Sequence, residues 1–416
     1  MASKEPELKL NPTEMNALPQ KAGRYREVLP PVALALFTLI ARVLCHGSVY
    51  YSDGPNHIKS ILERVYIIQP PGYWLFNRIG GLFPDPIVAI SAMNILFSMA
   101  GVVVFYYTAL FFAGRRNAFL AALAYSSVFY IWFSGEVHST YASQVLFPVA
   151  TFCALLRYDR DKASWLLWLA AVIFSVGAGL RPSDGVFLVP MVLYYSAVRL
   201  PRKTAILFMG LTFALCLFWI IPTAEQYHLY RQSPGRVPGM GDSPNGVQES
   251  ATTYIQRIVG QRSILAGVNA TSLANVTRYA LPLLVAFWPV GMAALLNLIR
   301  NWRDWRIRMM LFWIVPGSLF LIFSYIGDAP YLNFLSAAIL LLAVGSSRMM
   351  AVTAVWNAAL FLIFSPIPST RFLANVLNCY VGKDTHYAIQ HQWQPMLSRV
   401  QKWGSNNSDN FGGEAP

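Results

Sequence analysis

Charged residues are scarce in this chain. Only 12% of its 416 residues are Asp, Glu, Lys or Arg, and 56% are hydrophobic, whereas a soluble domain carries roughly 25% charge. This deficit, together with many apolar runs of about 17–25 residues, excludes a soluble globular protein and predicts a multi-pass membrane protein. The net charge of +13 does not indicate nucleic-acid binding, because the chain has no evident soluble face on which to display it.

Cysteines are few, and the sequence has no internal repeat. Three of the four cysteines, Cys45, Cys153 and Cys216, lie within or beside apolar runs, and Cys379 lies in a polar region. The spacing gives neither a disulfide framework nor a set of metal ligands. The first apolar run has no small-residue cleavage site, so we expect it to remain as the first helix. The absence of an internal repeat argues against an inverted-repeat transporter.

Apolar runs and helix breakers predict an all-α polytopic bundle. Inner loops that are short and basic alternate with outer segments, of which the loop at 134–139 and the turn at 327–331 have no Lys or Arg. This alternation places the N-terminus in the cytoplasm. We expect a cytoplasmic leader at 1–28, a transmembrane domain at 29–365 with outer loops at 47–85, 134–139 and 223–278, and an outer tail at 366–416. The eleven predicted spans lie near residues 29–46, 86–112, 118–133, 140–156, 163–180, 185–199, 204–222, 279–299, 309–326, 331–346 and 349–365.

The first outer loop, from Tyr50 to Phe83, is too polar and too rich in Pro and Gly to span a bilayer. Gly54-Pro55 predicts a turn after Asp53, and apolar residues at helical spacing then predict a short amphipathic helix that lies flat in the membrane interface. This helix would hold Asp53 at the membrane edge, within reach of a lipid head group. The pattern is typical of a site for chemistry on lipids. The apolar residues of the helix are Ile58, Ile61, Leu62, Val65 and Tyr66.

Asp53, His57 and Lys59 are the candidate site residues of this loop. The Asp53 carboxylate is suited to act as a general base on an acceptor hydroxyl, although Asp is equally common as a turn or N-cap residue. Lys59 is suited to contact a lipid phosphate as a point charge, or it simply faces the head groups. His57 is either part of the site or a structural histidine.

Two more outer turns carry candidates. Glu136 and His138 lie in a short hairpin flanked by aromatic residues, where unpaired polar groups are costly; Glu136 is a candidate second acid, and the alternative is a helix cap beside a hydrogen-bonded histidine. A metal site formed by Asp53, His57, Glu136 and His138 is chemically possible, but no spacing motif supports it.

Arg181 and Asp184 lie at the tight turn between the fifth and sixth spans. The Arg181 guanidinium is suited to bind a phosphate at the membrane edge. The alternative is an ion pair between the two residues that only fixes the turn. Arg42, near the end of the first span, is a further buried charge whose partner the sequence does not reveal.

An acid early in the first outer loop, an amphipathic helix and then Gln69-Pro-Pro-Gly-Tyr73 resemble the membrane glycosyltransferases of the GT-C superfamily. The resemblance is to the branch of protein O-mannosyltransferases and aminoarabinose transferases, and it covers roughly residues 29–200. It implies a polyprenyl-phosphate sugar donor, an active site on the outer face and an inverting transfer with Asp53 as base. Many members have a second acid directly after the first, and this chain has Gly54 there.

The sequence thus predicts a GT-C-like bundle of about eleven transmembrane helices with interfacial helices in the first outer loop. Asp53 and Glu136 are the predicted catalytic residues, and the acceptor is a lipid, glycan or protein. We expect a bacterial inner or plasma membrane location, contact with membrane lipids, no nucleic-acid partner and no cofactor, a divalent cation being unsupported. The predicted substrate-binding residues are His57, Lys59, Gln69, His138, Tyr141, Arg181 and Asp184.

Three other functions fit the sequence less well. A transporter or lipid flippase would place charged residues near mid-membrane on broken helices, whereas the charges here cluster at the outer edge. A non-catalytic membrane scaffold would need none of the outer polar residues. An enzyme like the O-antigen ligases, which uses a lipid pyrophosphate donor on the outer face, is excluded only weakly.

Overall fold

A computed structural model describes residues 12–45, 53–65, 72–135, 137–232, 270–323 and 329–364. These residues form fourteen α-helices and a 3-10 helix at Ala329–Leu332. The α-helices are α1 (Pro12–Cys45), α2 (Asp53–Glu63), α3 (Trp74–Gly80), α4 (Pro86–Ala109), α5 (Arg115–Ser127), α6 (Phe129–Ser134), α7 (Ser143–Asp161), α8 (Ser164–Leu180), α9 (Pro182–Arg199), α10 (Arg202–Gln232), α11 (Ala270–Asn301), α12 (Trp305–Phe323), α13 (Asn333–Ala343) and α14 (Ser347–Phe364).

The prediction of an all-α membrane bundle is confirmed. Each of the eleven predicted spans coincides with at least one helix, although α1 begins at Pro12, well before the expected residue 29. Four described segments are long and apolar enough to cross a membrane by themselves: Pro86–Ala109, Arg202–Gln226, Tyr279–Asn301 and Trp305–Ile322. Shorter apolar helices such as Ser164–Leu180 need tilt or flanking residues to do so.

The single span predicted near residues 118–133 is instead two helices. The chain leaves α5 at Val128, whose φ of −52° and ψ of 121° are not helical, and re-enters a helix at Phe129. Side chains from other helices satisfy the freed backbone groups: Arg42 Nη2 donates to the Ser126 carbonyl at 2.8 Å, and the Phe129 N–H donates to Asn357 Oδ1 at 3.3 Å. Such replacement is what makes a broken helix tolerable away from water. It also identifies a partner of Arg42.

The first outer loop contains the predicted amphipathic helix. Ile58 and Ile61 of α2 are buried, and α2 packs on α3 and α4. The expected turn at Gly54-Pro55 is wrong, because α2 already begins at Asp53; proline is tolerated in the first turn of a helix, where its missing N–H has no helical partner. The second apolar piece of the loop, predicted from Tyr73, forms α3.

Candidate functional site

Arg181 lies at the predicted outer end of the bundle, between α8 and α9. The following residue is Pro182, which disfavours a helical conformation for Arg181 and is itself well placed as the first residue of a helix. Arg181 accordingly adopts an extended conformation, with φ −145° and ψ 93°, at the junction of the two helices. Its side chain is only 2% exposed, so a full positive charge is held inside the protein.

Two polar groups contact the Arg181 guanidinium, and a third is bonded to one of them. Arg181 Nη1 donates to Thr140 Oγ1 at 2.7 Å, and Arg181 Nε lies 3.3 Å from Asp184 Oδ1. The same carboxylate oxygen accepts a hydrogen bond from Gln144 Nε2 at 2.7 Å. Because a buried charge is tolerated only when it is paired and hydrogen-bonded, these contacts explain how Arg181 and Asp184 remain inside together.

Three tyrosine rings complete the surroundings of Arg181. The guanidinium carbon lies 4.3 Å from the ring centre of Tyr141, 5.2 Å from that of Tyr331 and 5.9 Å from that of Tyr73. These are cation–π distances. The tyrosines come from three segments that directly precede α3, α7 and α13. We call Arg181 together with Thr140, Asp184, Tyr73, Tyr141 and Tyr331 the Arg181 cage.

His57 connects α2 to the cage. Its Nδ1 lies 2.9 Å from Asn77 Oδ1, and its ring packs edge-on against Tyr73 at 5.0 Å and Phe76 at 5.2 Å. Since an amide oxygen only accepts, Nδ1 carries the hydrogen. Burial lowers the pKa of His57 to about 4; the Asn77 hydrogen bond opposes the change and the charge of Arg181 adds to it. His57 is therefore a neutral imidazole at physiological pH.

The loop that precedes α7 is held on two sides. Ser91 Oγ donates to the Ile87 carbonyl at 2.7 Å, so its oxygen accepts from His138 Nε2 at 3.0 Å. Asn94 Nδ2 donates to the Val137 carbonyl at 2.6 Å. From the other side, Asn333 Nδ2 donates to Ser134 Oγ at 2.7 Å and to the Tyr141 carbonyl at 3.3 Å. Thr140 and Tyr141 are thereby fixed in position against Arg181.

Part of the chain is similar to a known protein family. Residues 69–222 match the family model described as dolichyl-phosphate-mannose-protein mannosyltransferase, and this stretch contains all cage residues except Tyr331. A search of curated protein sequences gives no match.

Solved structures show the same fold. ArnT from Cupriavidus metallidurans, bound to undecaprenyl phosphate, is similar with a TM-score of 0.55 and 14% identity, over 85% of this chain and 72% of ArnT. The apo oligosaccharyltransferase of Archaeoglobus fulgidus is similar with a TM-score of 0.51 and 14% identity, over 86% of this chain and 56% of that protein. The chain thus spans little more than half the length of the oligosaccharyltransferase.

The chain has the GT-C fold of these membrane enzymes. The resemblance inferred from its sequence is confirmed.

The structure brings several of the predicted site residues together. Tyr141, Arg181 and Asp184 belong to the cage, His57 reaches it through Tyr73, and His138 lies on the loop that carries Thr140 and Tyr141. Lys59 instead lies 3.9 Å from Glu63, one helical turn further along α2, and is partly exposed at 31%.

Three of the predicted site residues lie wholly or partly outside the part of the chain that the structure describes. Gln69 and Glu136 are not among the described residues, and Asp53 is described only as the first residue of α2, one turn before His57. Their roles therefore stay predictions. The same holds for the metal set of Asp53, His57, Glu136 and His138, because half of its ligands lie beyond what the structure describes.

Sequence reasoning missed several polar side chains that build the site. Thr140, Gln144 and Asn333 each bond to another segment of the chain, and Tyr331 covers Arg181. The available signal was the position of polar residues at the predicted outer ends of apolar helices, where their polar atoms need partners. Such positions predict that the side chains are hydrogen-bonded, but they do not predict to which residues.

Proposed function

We propose that the protein is a glycosyltransferase that moves a sugar from a polyprenyl-phosphate donor to an acceptor hydroxyl on a lipid, glycan or protein at the predicted outer end of the bundle. The observation that carries the proposal is the match of residues 69–222 to a family named for dolichyl-phosphate-mannose, because this stretch contains most of the buried polar site. The undecaprenyl phosphate bound to ArnT supports a lipid phosphate as the leaving group.

The transfer requires one base and one stabilised leaving group. The Asp53 carboxylate takes the proton of the acceptor hydroxyl, whose oxygen forms a bond to the anomeric carbon as the bond from that carbon to the phosphate oxygen breaks. A single displacement inverts the anomeric configuration and leaves polyprenyl phosphate. Glu136 is the proposed second acid.

The leaving phosphate needs a fixed positive charge. Arg181 is suited to supply it, because its guanidinium is already oriented by Thr140 and Asp184 and needs no reorganisation during the reaction. Lys59, Gln69 and Asp184 complete the proposed donor side. His57 and His138 line the acceptor side, with Tyr141 packed between the two sides against Arg181.

The Asp53→Asn variant tests the base. In proteoliposomes supplied with undecaprenyl-phosphate or dolichyl-phosphate mannose bearing a labelled sugar, we expect sugar transfer or release to fall by roughly 10²- to 10⁴-fold, the usual contribution of a general base. Donor binding, measured by native mass spectrometry, should remain unchanged.

Asp85→Asn is the matched control for that variant. Asp85 lies at the end of the same loop and caps α4 by accepting from the Ile87 and Val88 N–H groups at 2.7 and 3.2 Å. Asn caps a helix about as well as Asp, so turnover should persist. Equal turnover by Asp53→Asn and Asp85→Asn would reject the base assignment. A wild-type protein that neither binds nor consumes the two donors would reject them as substrates.

A further inference from the structure

A cleft of about 560 Å³ opens at the predicted inner end of the bundle, opposite the Arg181 cage. It lies where α4 and α11 end, α12 begins and α13 turns into α14. Its lining combines apolar side chains, including Phe111 and Leu296, with the polar residues Asn297, Arg300 and Arg306. Nothing in the proposed transfer reaction uses this cleft.

The polar side of the cleft carries a surplus of positive charge. Asp304 is occupied by Arg306, whose Nε and Nη2 lie 3.1 and 2.8 Å from Asp304 Oδ2. Arg306 is fixed further by a 3.3 Å hydrogen bond from its Nη1 to the Phe111 carbonyl. Arg300 lines the same cleft and forms no ion pair with a described residue, since Asp304 is paired with Arg306. The Arg300 guanidinium is therefore free to bind an anion.

The apolar side of the cleft is continuous with the membrane-facing surface. Leu296 lines the cleft and is 41% exposed, and on the same helix Met292 and Ile299 are 65% and 61% exposed. Trp302, 56% exposed, follows at the end of α11, where aromatic side chains favour the level of lipid head groups. A molecule with an anionic head and an apolar chain would contact both sides at once.

We propose that this cleft binds an acidic phospholipid, with its phosphate at Arg300 and an acyl chain along Leu296. Basic pockets between transmembrane helices on the cytoplasmic side are suited to such head groups. Because the cleft opens onto the lipid-facing surface, the lipid can enter it from the bilayer. A free phosphate ion would gain nothing from the apolar wall.

Native mass spectrometry of the purified full chain with dioleoylphosphatidylglycerol tests the charge requirement. Arg300→Gln should weaken binding by about tenfold, as expected for the loss of one hydrogen bond between charged groups. Arg348→Gln is the matched control, since Arg348 is exposed at the start of α14 and is not part of the lining; its affinity should stay within about twofold. Equal losses in both variants would indicate unspecific attraction and overturn the proposal.

A second variant tests the space rather than the charge. Gly345 lines the cleft, and a Cβ there would meet no atom within 4 Å. The backbone therefore accepts a side chain at this position, and Gly345→Trp adds a large ring at the cleft. We expect binding of phosphatidylglycerol to be lost at an unchanged melting temperature. Full binding by this variant would overturn the site.

Two competing molecules then identify the ligand class. The comparison lipid is zwitterionic dioleoylphosphatidylcholine, whose head group has no net charge because its choline balances its phosphate. It should bind to the wild type about tenfold more weakly than phosphatidylglycerol. Inorganic phosphate at equal concentration should not displace phosphatidylglycerol. Displacement by inorganic phosphate would identify a free anion as the ligand and overturn the assignment to a lipid.

Discussion

Arg181 is suited to both roles that its position suggests, and the structure shows the first of them, the ion pair with Asp184. Its buried contact with Asp184 fixes the junction of α8 and α9, as the structural interpretation of the sequence predicts. The same contact orients a cation beside three tyrosines, as the proposed stabilisation of a leaving phosphate requires. A substitution that removes only one of the two properties is needed to separate them.

Arg181→Gln alone should cost about 3–5 kcal/mol of stability, because it leaves the Asp184 charge buried without its partner. Arg181→Gln combined with Asp184→Asn removes both charges and should recover most of the loss, as measured by thermal unfolding in detergent. Turnover of the double variant should nevertheless stay roughly 10²-fold below wild type, the usual cost of removing one electrostatic donor. Turnover that recovers together with stability would make Arg181 purely structural.

His57 should make the protein sensitive to mild acid. An unfolded histidine takes up a proton near pH 6.5, whereas His57 in the folded protein does so at about pH 4. Between these values the unfolded state binds more protons, so stability falls as the pH falls, by at most about 1.4 kcal/mol per pH unit. Melting temperatures measured from pH 7 to 4.5 should therefore drop, and the drop should be smaller in His57→Gln. Parallel curves for the two proteins would show that other groups dominate.

At the scale of single helices, the close contact of α4 with α7 depends on Gly101. A Cβ on Gly101 would lie 2.5 Å from the Val145 carbonyl oxygen. That oxygen also accepts a hydrogen bond from the Tyr125 hydroxyl at 2.8 Å, so it cannot move without breaking a second contact. The absence of a side chain at Gly101 thus lets three helices meet.

Gly101→Ala should destabilise the protein by about 1–3 kcal/mol, the usual cost of adding atoms to a packed core. Gly291→Ala on α11 is the control, because a Cβ there would meet no atom within 4 Å; alanine in a helix should leave stability unchanged or raise it by up to about 1 kcal/mol. Thermal unfolding of both variants measures the difference. A Gly101→Ala protein as stable as wild type would show that α4 and α7 separate without cost.

The sequence predicts helices better than the interruptions between them. Apolar runs locate every span, because burial in lipid requires them. The break at Val128 leaves no such trace, since it is stabilised by Arg42 and Asn357 from helices distant in sequence. The same contrast holds at the site. Arg181 and Asp184 are close in sequence, so their contact can be predicted from their own turn, whereas Tyr331 reaches Arg181 only through the packing of α13.

At the scale of the whole molecule, the polar site and the basic cleft lie at opposite ends of the helices. The described helices α4, α8, α9, α11, α12 and α13 all run between these two ends. The predicted topology, with a cytoplasmic N-terminus, assigns the Arg181 cage to the outer face and the cleft to the inner face. This assignment rests on the distribution of Lys and Arg among the loops.

Thiol labelling can test the topology. Leu82 is 72% exposed in the turn before α4, and a Cβ at Gly114 before α5 would meet no atom within 4 Å. In a background with the four native cysteines replaced by alanine, Leu82→Cys should react with a membrane-impermeant maleimide in intact cells. Gly114→Cys should react only after permeabilisation. The reverse pattern would invert the topology and move the proposed active site to the cytoplasm.

The Arg181 cage also bears on the biogenesis of the protein. Tyr73, Thr140 and Tyr141 precede Arg181 in the chain, whereas Tyr331 follows it after four of the described helices. During synthesis, α8 and α9 are therefore complete well before the last ring that covers the guanidinium exists. The site cannot close until α13 has entered the bilayer and packed. Packing of α13, rather than insertion of the first helices, is therefore the step at which the nascent chain completes the proposed active site.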